Sequence, residues 1–291
     1  MNVGLVGTGM LGTGIGLRLL KTGINVIAYN RTADKTKALE DAGARIAKSP
    51  GEAAGLSDTV ITCVTDADAL EQVSFGENGI AQGAHKDLVL CDMSTINPEG
   101  AVSISKKLAD AGIRMVDAPV MGGPGAAMRG ELVIMASGDK GAYEERRGIL
   151  GAVSRKMFYL GGSGTAYSIK LAMNLQIAML AISLSEGITL ARGASVDPHK
   201  FLEVLNSTYF NTGMSNNKAY KMIEGSFEPS FLLRNLKKDL HTINDHAESS
   251  RLKLPLSTLA EEVYSEAVKG GFGDLDYTGI LAYLKESTRL K

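Results

Sequence analysis

The sequence is poor in the residues that build disulfides and metal centres. It has only two cysteines, Cys63 and Cys91, which lie in apolar runs and form no CxxC pair. We therefore expect buried free thiols, which suits a reducing compartment, and we predict a cytoplasmic protein. The four histidines are scattered, so no Cys/His cluster has metal-ligand spacing and we expect no metal site.

Charge of one sign and long hydrophobic runs are lacking as well. The 31 Lys and Arg residues nearly balance 32 Asp and Glu residues, for a net charge of −1. No basic face stands out, which argues against a nucleic-acid partner. The chain opens directly into the apolar strand MNVGLVG, without the basic and apolar regions of an export signal. The uncharged run between Lys170 and Glu186 is too short for a membrane span and contains Asn174, Gln176 and Ser183, so we expect no membrane partner.

Strand and helix patterns alternate through the first part of the chain and then give way to helices alone. A chain of 291 residues is long enough for two domains. Strands are predicted at 2–6, 25–29, 59–64, 88–92, 114–117, 132–136 and 157–160. Helices are predicted at 13–21, 36–42, 98–111, 143–151, 167–192, 231–249, 255–269 and 277–286. The pattern predicts a mostly parallel sheet covered on both faces at 1–161, then an all-helical domain at 162–291.

The predicted helix at 167–192 is the central element of the second domain. It is rich in Leu, Met and Ala and carries only three charges, Lys170, Glu186 and Arg192, so we expect other helices to surround it. Lys170 and Asn174 are four residues apart and share one face of the helix. Burying an unpaired ammonium is costly, so Lys170 either serves a site or extends to water. Its place near the domain boundary favours a ligand site.

A glycine motif follows the first predicted strand. It reads Gly7-Thr8-Gly9-Met10-Leu11-Gly12, with a strand before it and a helix after it. In this context Gly7 permits a tight turn, Gly9 lets a pyrophosphate approach the backbone, and Gly12 lets the helix pack close to the strand. The start of the helix offers N–H donors to the phosphates. The motif therefore predicts dinucleotide binding rather than a purely structural turn.

The end of the second predicted strand indicates which dinucleotide binds. An NAD site usually has Asp or Glu there for the ribose 2′-hydroxyl, but this chain has Asn30-Arg31-Thr32. Arg31 can pair with a 2′-phosphate and Thr32 can hydrogen-bond to it. The alternative is an ordinary solvated arginine. The position of Arg31 at a strand end favours NADP.

Three further segments follow strand ends, which is where ligands bind in such sheets. The first is Val64-Thr65 and the second, DMSTINP at 92–98, contains the hydroxyls of Ser94 and Thr95. The third, DAPVMGG at 117–123, ends in a glycine pair whose N–H groups can hold a carboxylate. The alternatives are a helix-capping turn for the second segment and a flexible loop for the third.

Together these motifs resemble those of the β-hydroxyacid dehydrogenase family, which includes 3-hydroxyisobutyrate dehydrogenase. The resemblance spans the chain and rests on five motifs in order: 7–12, DMSTINP, DAPVMGG, the stretch from Gly164 through Lys170 to Asn174, and Lys238-Asp239-Leu240 after Phe231. It implies a Rossmann domain at 1–161, an all-helical substrate and oligomerisation domain at 162–291, and a homodimer or homotetramer. It also implies reversible, metal-independent, NAD(P)-dependent oxidation of a small 3-hydroxy acid to its semialdehyde.

The resemblance also implies a role for individual residues. Lys170 would be the catalytic proton donor and acceptor, and Asn174 would help hold it and the substrate. Substrate-binding residues would be Ser94, Thr95, Met121, Gly122, Gly123, Lys170, Asn174 and Phe231. Cofactor-binding residues would be Gly7, Thr8, Gly9, Met10, Leu11, Gly12, Asn30, Arg31, Thr32, Val64, Thr65, Thr95 and Lys238.

One position departs from the family pattern. Met121 stands where the family usually has serine before the glycine pair, so a hydroxyl partner for the substrate is lost. The alternative is that Met121 points away from the cleft into core packing. Glyoxylate, succinic semialdehyde or tartronate semialdehyde therefore stay open as substrates of a reductase. An imine reductase is disfavoured by Lys170 and the DAPV segment. A non-catalytic nucleotide-binding scaffold is disfavoured by the presence of both Lys170 and Asn174.

Overall fold

The computed structural model describes residues 1–287 of the chain. It divides into two compact units, Met1–Lys170 and Leu171–Lys291. The first unit is an α/β domain and the second is helical, as the alternation of strand and helix patterns predicts.

The first unit is built on one sheet of nine strands. The strands are β1 Asn2–Val6, β2 Asn25–Tyr29, β3 Arg45–Ile46, β4 Thr59–Thr62, β5 Val89–Asp92, β6 Arg114–Asp117, β7 Val120–Met121, β8 Leu132–Gly138 and β9 Ser154–Tyr159. Their order is β3-β2-β1-β4-β5-β6-β8-β7, with β9 also paired to β8. Only the β6–β8 and β7–β8 pairs are antiparallel, so the predicted mostly parallel sheet is confirmed.

Helices cover both faces of this sheet. They are α1 Met10–Lys21, α2 Lys37–Asp41, α3 Pro50–Gly55, α4 Ala67–Phe75, α5 Ile80–Gly83, α6 Pro98–Asp110, α7 Pro124–Arg129 and α8 Lys140–Val153. The buried residues form two clusters, and the neighbours Leu5 and Val6 on β1 belong to different ones. Successive strand residues point to opposite faces, so the two clusters fill the two sides of the sheet.

The structure corrects several predicted boundaries. The first helix begins at Met10 rather than Thr13, because Gly9 is extended and serves as its N-cap. The strand predicted at 59–64 ends at Thr62, which puts Cys63 and Val64 in the loop beyond it. Sequence patterns also missed β3 and β7, since two residues are too few to show an alternation.

The strand order shows which edge of the sheet is suited to bind a ligand. The strand order reverses between β1 and β4, which lie side by side at the middle of the sheet. Open parallel sheets bind ligands at such a reversal, outside the carboxyl ends of their strands. The carboxyl ends of β1, β4, β5 and β6 therefore bring their following loops to the same edge.

The second unit is organised on the long helix α9, Thr165–Gly193, of which residues from Leu171 onward belong to this unit. The other helices are α10 Pro198–Asn206, α11 Gly213–Asn217, α12 Ala219–Ile223, α13 Leu233–Ser249, α14 Pro255–Ala267 and α15 Ile280–Ser287. A single bridge between Leu232 and Asp276 is the only β pairing among the described residues beyond β9. Asp197 caps α10 through the His199 N–H, and Pro198 is the first residue of the helix.

Helix α9 is long and apolar enough to cross a membrane if only length and composition are considered. The helix has 29 residues and is therefore longer than the uncharged run between Lys170 and Glu186, on which the expectation of no membrane span rests. Leu171, Ala178 and Ala181 are nevertheless buried in the helical core with residues of α13 and α14. The core helix of a helical domain has the same composition, but α9 packs in that way on one face only, because Leu180 and Leu190 are exposed. The expectation that other helices surround α9 is therefore met only in part.

Candidate active site

The glycine loop has the shape that a dinucleotide pyrophosphate needs. Gly7 has φ +99°, and a Cβ there would lie 2.3 Å from the Cys63 carbonyl oxygen. A Cβ on Gly12 would lie 2.0 Å from the Gly7 carbonyl oxygen, whereas one on Gly9 would have no neighbour within 4 Å. Helix α1 has no side-chain cap and no acidic residue in its first turn. Its first N–H groups are therefore suited to an anion.

The loop after β2 is tied to the glycine loop by Asn30. The Asn30 Oδ1 accepts a hydrogen bond from the Thr8 N–H at 3.0 Å, and its Nδ2 donates to the Thr32 carbonyl at 3.0 Å. The Thr8 hydroxyl in turn donates to the Lys35 carbonyl at 2.9 Å. Arg31 and Thr32 are exposed. Asn30 thus acts as a bridge that fixes the backbone bearing Arg31 and Thr32.

The loops after β4 and β5 are also joined to each other. Ser94, predicted to bind substrate, is buried, and its hydroxyl accepts from the Val64 N–H at 2.9 Å and donates to Asp92 at 2.7 Å. The hydroxyl of Ser94 therefore has a structural role in this structure. Thr65 is exposed and Thr95 half-buried at the same edge of the sheet.

Two aspartates at the carboxyl ends of β5 and β6 were not among the predicted site residues. Asp92 and Asp117 are fully buried and paired in register. Burial raises the pKa of the Asp92 carboxyl to about 6, against the lowering effect of its hydrogen bonds. Burial likewise raises the pKa of Asp117. The signal for them in the sequence is a charged residue that ends an apolar strand, as in VLCD.

Replacing Asp92 with asparagine should change the pH dependence of stability. A raised carboxyl pKa stabilises the fold below the unfolded pKa, and this contribution is lost as pH rises through the folded pKa. A shift from 3.8 to about 6 corresponds to a loss of about 3 kcal/mol. Urea unfolding between about pH 4 and pH 7 should show this decline in wild type and in the exposed control Asp110→Asn. The decline should be smaller in Asp92→Asn, where only the raised pKa of Asp117 still contributes to it. Parallel curves for all three proteins would contradict it.

The predicted catalytic lysine lies beside the residue that departs from the family pattern. The Lys170 Nζ is 3.5 Å from the Met121 Sδ, and both side chains are half-buried. Met121 therefore does not point away into the core. It ends β7 and is followed by Gly122, with φ +120°, and by Gly123, the N-cap of α7. The first unit thus brings together an ammonium, a thioether and the backbone of a glycine pair.

Asn174, whose side-chain amide is a predicted site group, lies in the second unit. Asn174 is fully buried, and its Nδ2 donates to Asp239 Oδ2 at 2.6 Å. The Lys238 Nζ lies 2.7 Å from Asp239 Oδ1. Within residues 1–287 the Asn174 Oδ1 has no hydrogen-bond partner, so this buried acceptor is suited to a donor from a ligand. Asn174 and Lys238 are among the predicted site residues, whereas Asp239 is not, although it follows Lys238 directly in the motif Lys238-Asp239-Leu240.

Phe231 is held in the second unit by a buried carboxylate. Asp276 accepts from the Phe231 N–H at 3.4 Å, and both its oxygens lie 2.8 Å from the Lys218 Nζ. Burial acts to raise the pKa of Asp276, but hydrogen bonds from Lys218 and Ser230 hold it below its ordinary value.

Among the described residues, no group of three or more His, Cys, Asp or Glu is placed to hold a metal ion.

Comparisons with known proteins match both parts of the chain. Residues 2–161 match the NAD binding domain of 6-phosphogluconate dehydrogenase, and residues 162–284 match the NAD-binding domain of NADP-dependent 3-hydroxyisobutyrate dehydrogenase. The chain is 30% identical over 285 residues to glyoxylate/succinic semialdehyde reductase 2, chloroplastic, of Arabidopsis thaliana, which covers 98% of this chain and 80% of that protein.

Two other similarities bear on function. The chain is 31% identical over 278 residues to the cytokine-like nuclear factor N-PAC of Xenopus tropicalis, covering 96% of this chain but only 52% of that protein. The chain therefore spans about half the length of N-PAC. The crystal structure of a 3-hydroxyisobutyrate dehydrogenase from Salmonella typhimurium superposes with a TM-score of 0.89 at 27% identity, covering 97% of this chain and 99% of that one.

Proposed function

This chain belongs to the β-hydroxyacid dehydrogenase family, and from that premise we propose that it is an NADPH-preferring enzyme that interconverts a small 3-hydroxy acid and its semialdehyde. NAD(P)-dependent dehydrogenase chemistry is common to the family. The NADP preference, the substrate and the role of Lys170 are our proposals. We also propose that the protein is cytoplasmic. We further propose that it forms a homodimer or homotetramer, which light scattering of the purified protein tests.

The reaction needs a hydride carrier and a proton carrier. The nicotinamide of the cofactor supplies or accepts the hydride when it is bound. Lys170 would give its proton to the forming hydroxyl during reduction and take it back during oxidation. The N–H groups of Gly122 and Gly123 would hold the substrate carboxylate.

The observation that carries this proposal is the half-buried Lys170, whose Nζ lies 3.5 Å from the Sδ of Met121, the residue that precedes the glycine pair. The test is a spectrophotometric panel with purified protein. NADPH and NADH oxidation are followed with glyoxylate, succinic semialdehyde, tartronate semialdehyde and methylmalonate semialdehyde, and the reverse reaction with the hydroxy acids. Turnover of at least one pair with NADPH preferred supports the proposal, whereas no turnover of any pair contradicts it.

A non-catalytic nucleotide-binding protein is the second candidate. The similarity to N-PAC, whose name describes a nuclear factor, favours it. Lys170 and Asn174 argue against it, because a protein without turnover has no need of a proton-transfer residue. The panel separates the two: the second candidate requires that NADPH binds, as measured by fluorescence titration, while every substrate stays unreacted. An added amine with the same aldehydes tests the imine reductase alternative.

Met121 should set which acids the enzyme prefers. A thioether fills more space than a hydroxyl and is only a weak hydrogen-bond acceptor. We therefore expect 3-hydroxyisobutyrate, which has an apolar arm, or a short semialdehyde to be preferred over glycerate. Met121→Ser should raise kcat/KM for glycerate relative to 3-hydroxyisobutyrate by about tenfold, the worth of roughly one hydrogen bond.

Met121→Ala is the matched control for this change, because it removes the thioether without adding a hydroxyl. A ratio that shifts equally in Met121→Ala and Met121→Ser would assign the preference to size alone. A ratio unchanged in both variants would mean that Met121 does not shape the substrate site.

A further inference from the structure

The two buried aspartates of the first unit have no part in the chemistry proposed above. Asp92 and Asp117 end adjacent strands, and neither is exposed. The groups that donate to their carboxylates within residues 1–287 are five hydroxyls and one backbone N–H, from Thr62, Ser94, Tyr167, Ser137, Ser163 and Gly164. None of these donors is a cation. Burying two carboxylates in this way is costly, so a specific benefit should offset the cost.

Asp117 binds the start of α9 from the sheet. Its Oδ2 accepts from the Gly164 N–H at 2.7 Å and from the Ser137 hydroxyl at 2.7 Å. The Ser137 oxygen itself accepts from the Ala166 N–H at 3.0 Å. The first N–H groups of a helix need acceptors, and a capping side chain next to the helix would satisfy them at lower cost. Here the acceptors come from β6 and β8, so the hydrogen bonds fix α9 to the sheet.

Asp92 binds the same turn through a side chain. Its Oδ2 accepts from the Tyr167 hydroxyl at 2.5 Å, and its Oδ1 is fixed by Thr62 at 2.5 Å and Ser94 at 2.7 Å. Tyr167 is fully buried among the core residues of one sheet face. Tyr167 and Lys170 are three residues apart, which makes them neighbours on the helix surface. Holding the Tyr167 ring therefore sets the rotation of the turn that carries Lys170.

We propose that Asp92 and Asp117 are positioning residues that act through Lys170. The Asp117–Gly164 and Ser137–Ala166 bonds fix the start of α9 along its axis, and the Asp92–Tyr167 bond fixes its rotation. Together they place the Lys170 Nζ beside Met121. The inference rests on the proposed function of Lys170. A displacement of about 1 Å at a catalytic group can cost about 10²-fold in rate. Correct placement of Lys170 is therefore the benefit that offsets the cost of burying the two carboxylates.

The test compares two changes at Asp117. Asp117→Asn keeps one oxygen that can accept from Gly164 and Ser137, so its kcat should stay close to that of wild type. Asp117→Ala removes both acceptors, and its kcat should fall by about 10²-fold while its affinity for NADPH is unchanged. Loss of activity in Asp117→Asn as well would mean that charge matters rather than position, and would overturn the proposal.

A double-mutant cycle shows whether the effect passes through Lys170. If Asp117 acts by placing Lys170, adding Asp117→Ala to Lys170→Met should cause no further loss of kcat. A fold-loss in kcat equal to the product of the two single fold-losses would overturn the proposal. Tyr167→Phe removes a single buried hydroxyl and repeats the test should Asp117→Ala fail to fold; its kcat should also fall with NADPH affinity retained.

Asp139→Ala is the matched control. The Asp139 carboxylate caps α8 through the Ala142 N–H at 2.7 Å, so its loss removes a helix-capping acceptor from a helix without a proposed site residue. We expect a lower midpoint of urea unfolding, because a helix cap is lost, with kcat unchanged. The substrate panel is run first with the wild-type protein. No turnover of any substrate rejects the proposed function. An active wild type with full activity in Asp117→Ala and Tyr167→Phe rejects only this inference.

Discussion

Replacing Lys170 with methionine should give a folded protein that binds NADPH normally but turns over its substrate about 10²- to 10⁴-fold more slowly. Methionine keeps the length and apolar body of the lysine and removes the group that carries the proton. The Lys170 Nζ lies 3.5 Å from Met121 Sδ, and Met121 directly precedes the proposed carboxylate site of Gly122 and Gly123. The loss should therefore appear in kcat, because the ammonium takes part in the chemical step.

The measurement is kcat and KM for both directions of the reaction, with NADPH affinity from fluorescence titration. Lys106→Met is the control, since Lys106 is exposed on α6 of the same unit and has no proposed role. It should behave as wild type. Retained turnover in a folded Lys170→Met protein would remove Lys170 as the proton donor and acceptor, while leaving the family membership untouched.

The parts of the site that the sequence predicts are those whose signals are local. The glycine motif, the strand before it and the helix after it lie within a few residues, and Gly7, Gly9 and Gly12 differ in the structure just as their proposed roles require. The same holds for the long apolar helix, whose signal is its own composition. Boundaries were less accurate: Met10 belongs to α1 because the extended Gly9 ends the turn.

The parts that could not be predicted depend on residues far apart in the chain. Asn174 could be named from its spacing to Lys170, but its partner Asp239 is 65 residues away. Likewise, the Tyr167 hydroxyl reaches Asp92 across 75 residues. A single sequence gives no measure of such pairing, so the carboxylates were seen only as the ends of strands. Ser94 is the opposite case. It is predicted to bind substrate, but in the structure its hydroxyl is hydrogen-bonded to the Val64 N–H and to Asp92.

The cofactor preference should change when Arg31 becomes aspartate. The guanidinium of Arg31 is exposed on a loop that Asn30 fixes to the glycine loop. A charge-assisted hydrogen bond contributes about 1.5–3 kcal/mol, or roughly 10- to 150-fold in affinity. Aspartate removes this bond, repels the 2′-phosphate and can accept from a ribose 2′-hydroxyl. We expect the NADPH:NADH ratio of kcat/KM to fall by about 10²-fold.

Direct binding measurements separate this effect from any change in catalysis. The dissociation constant of NADPH, from fluorescence titration without substrate, should rise in Arg31→Asp while that of NADH holds or falls. Arg155→Asp makes the same change of net charge at an exposed arginine of β9 and should leave both constants unchanged. Equal losses in the two variants would assign the effect to overall charge. A wild-type protein that already prefers NADH would show that Asn30-Arg31-Thr32 does not bind a 2′-phosphate, because a guanidinium engaged with it must favour the phosphorylated cofactor.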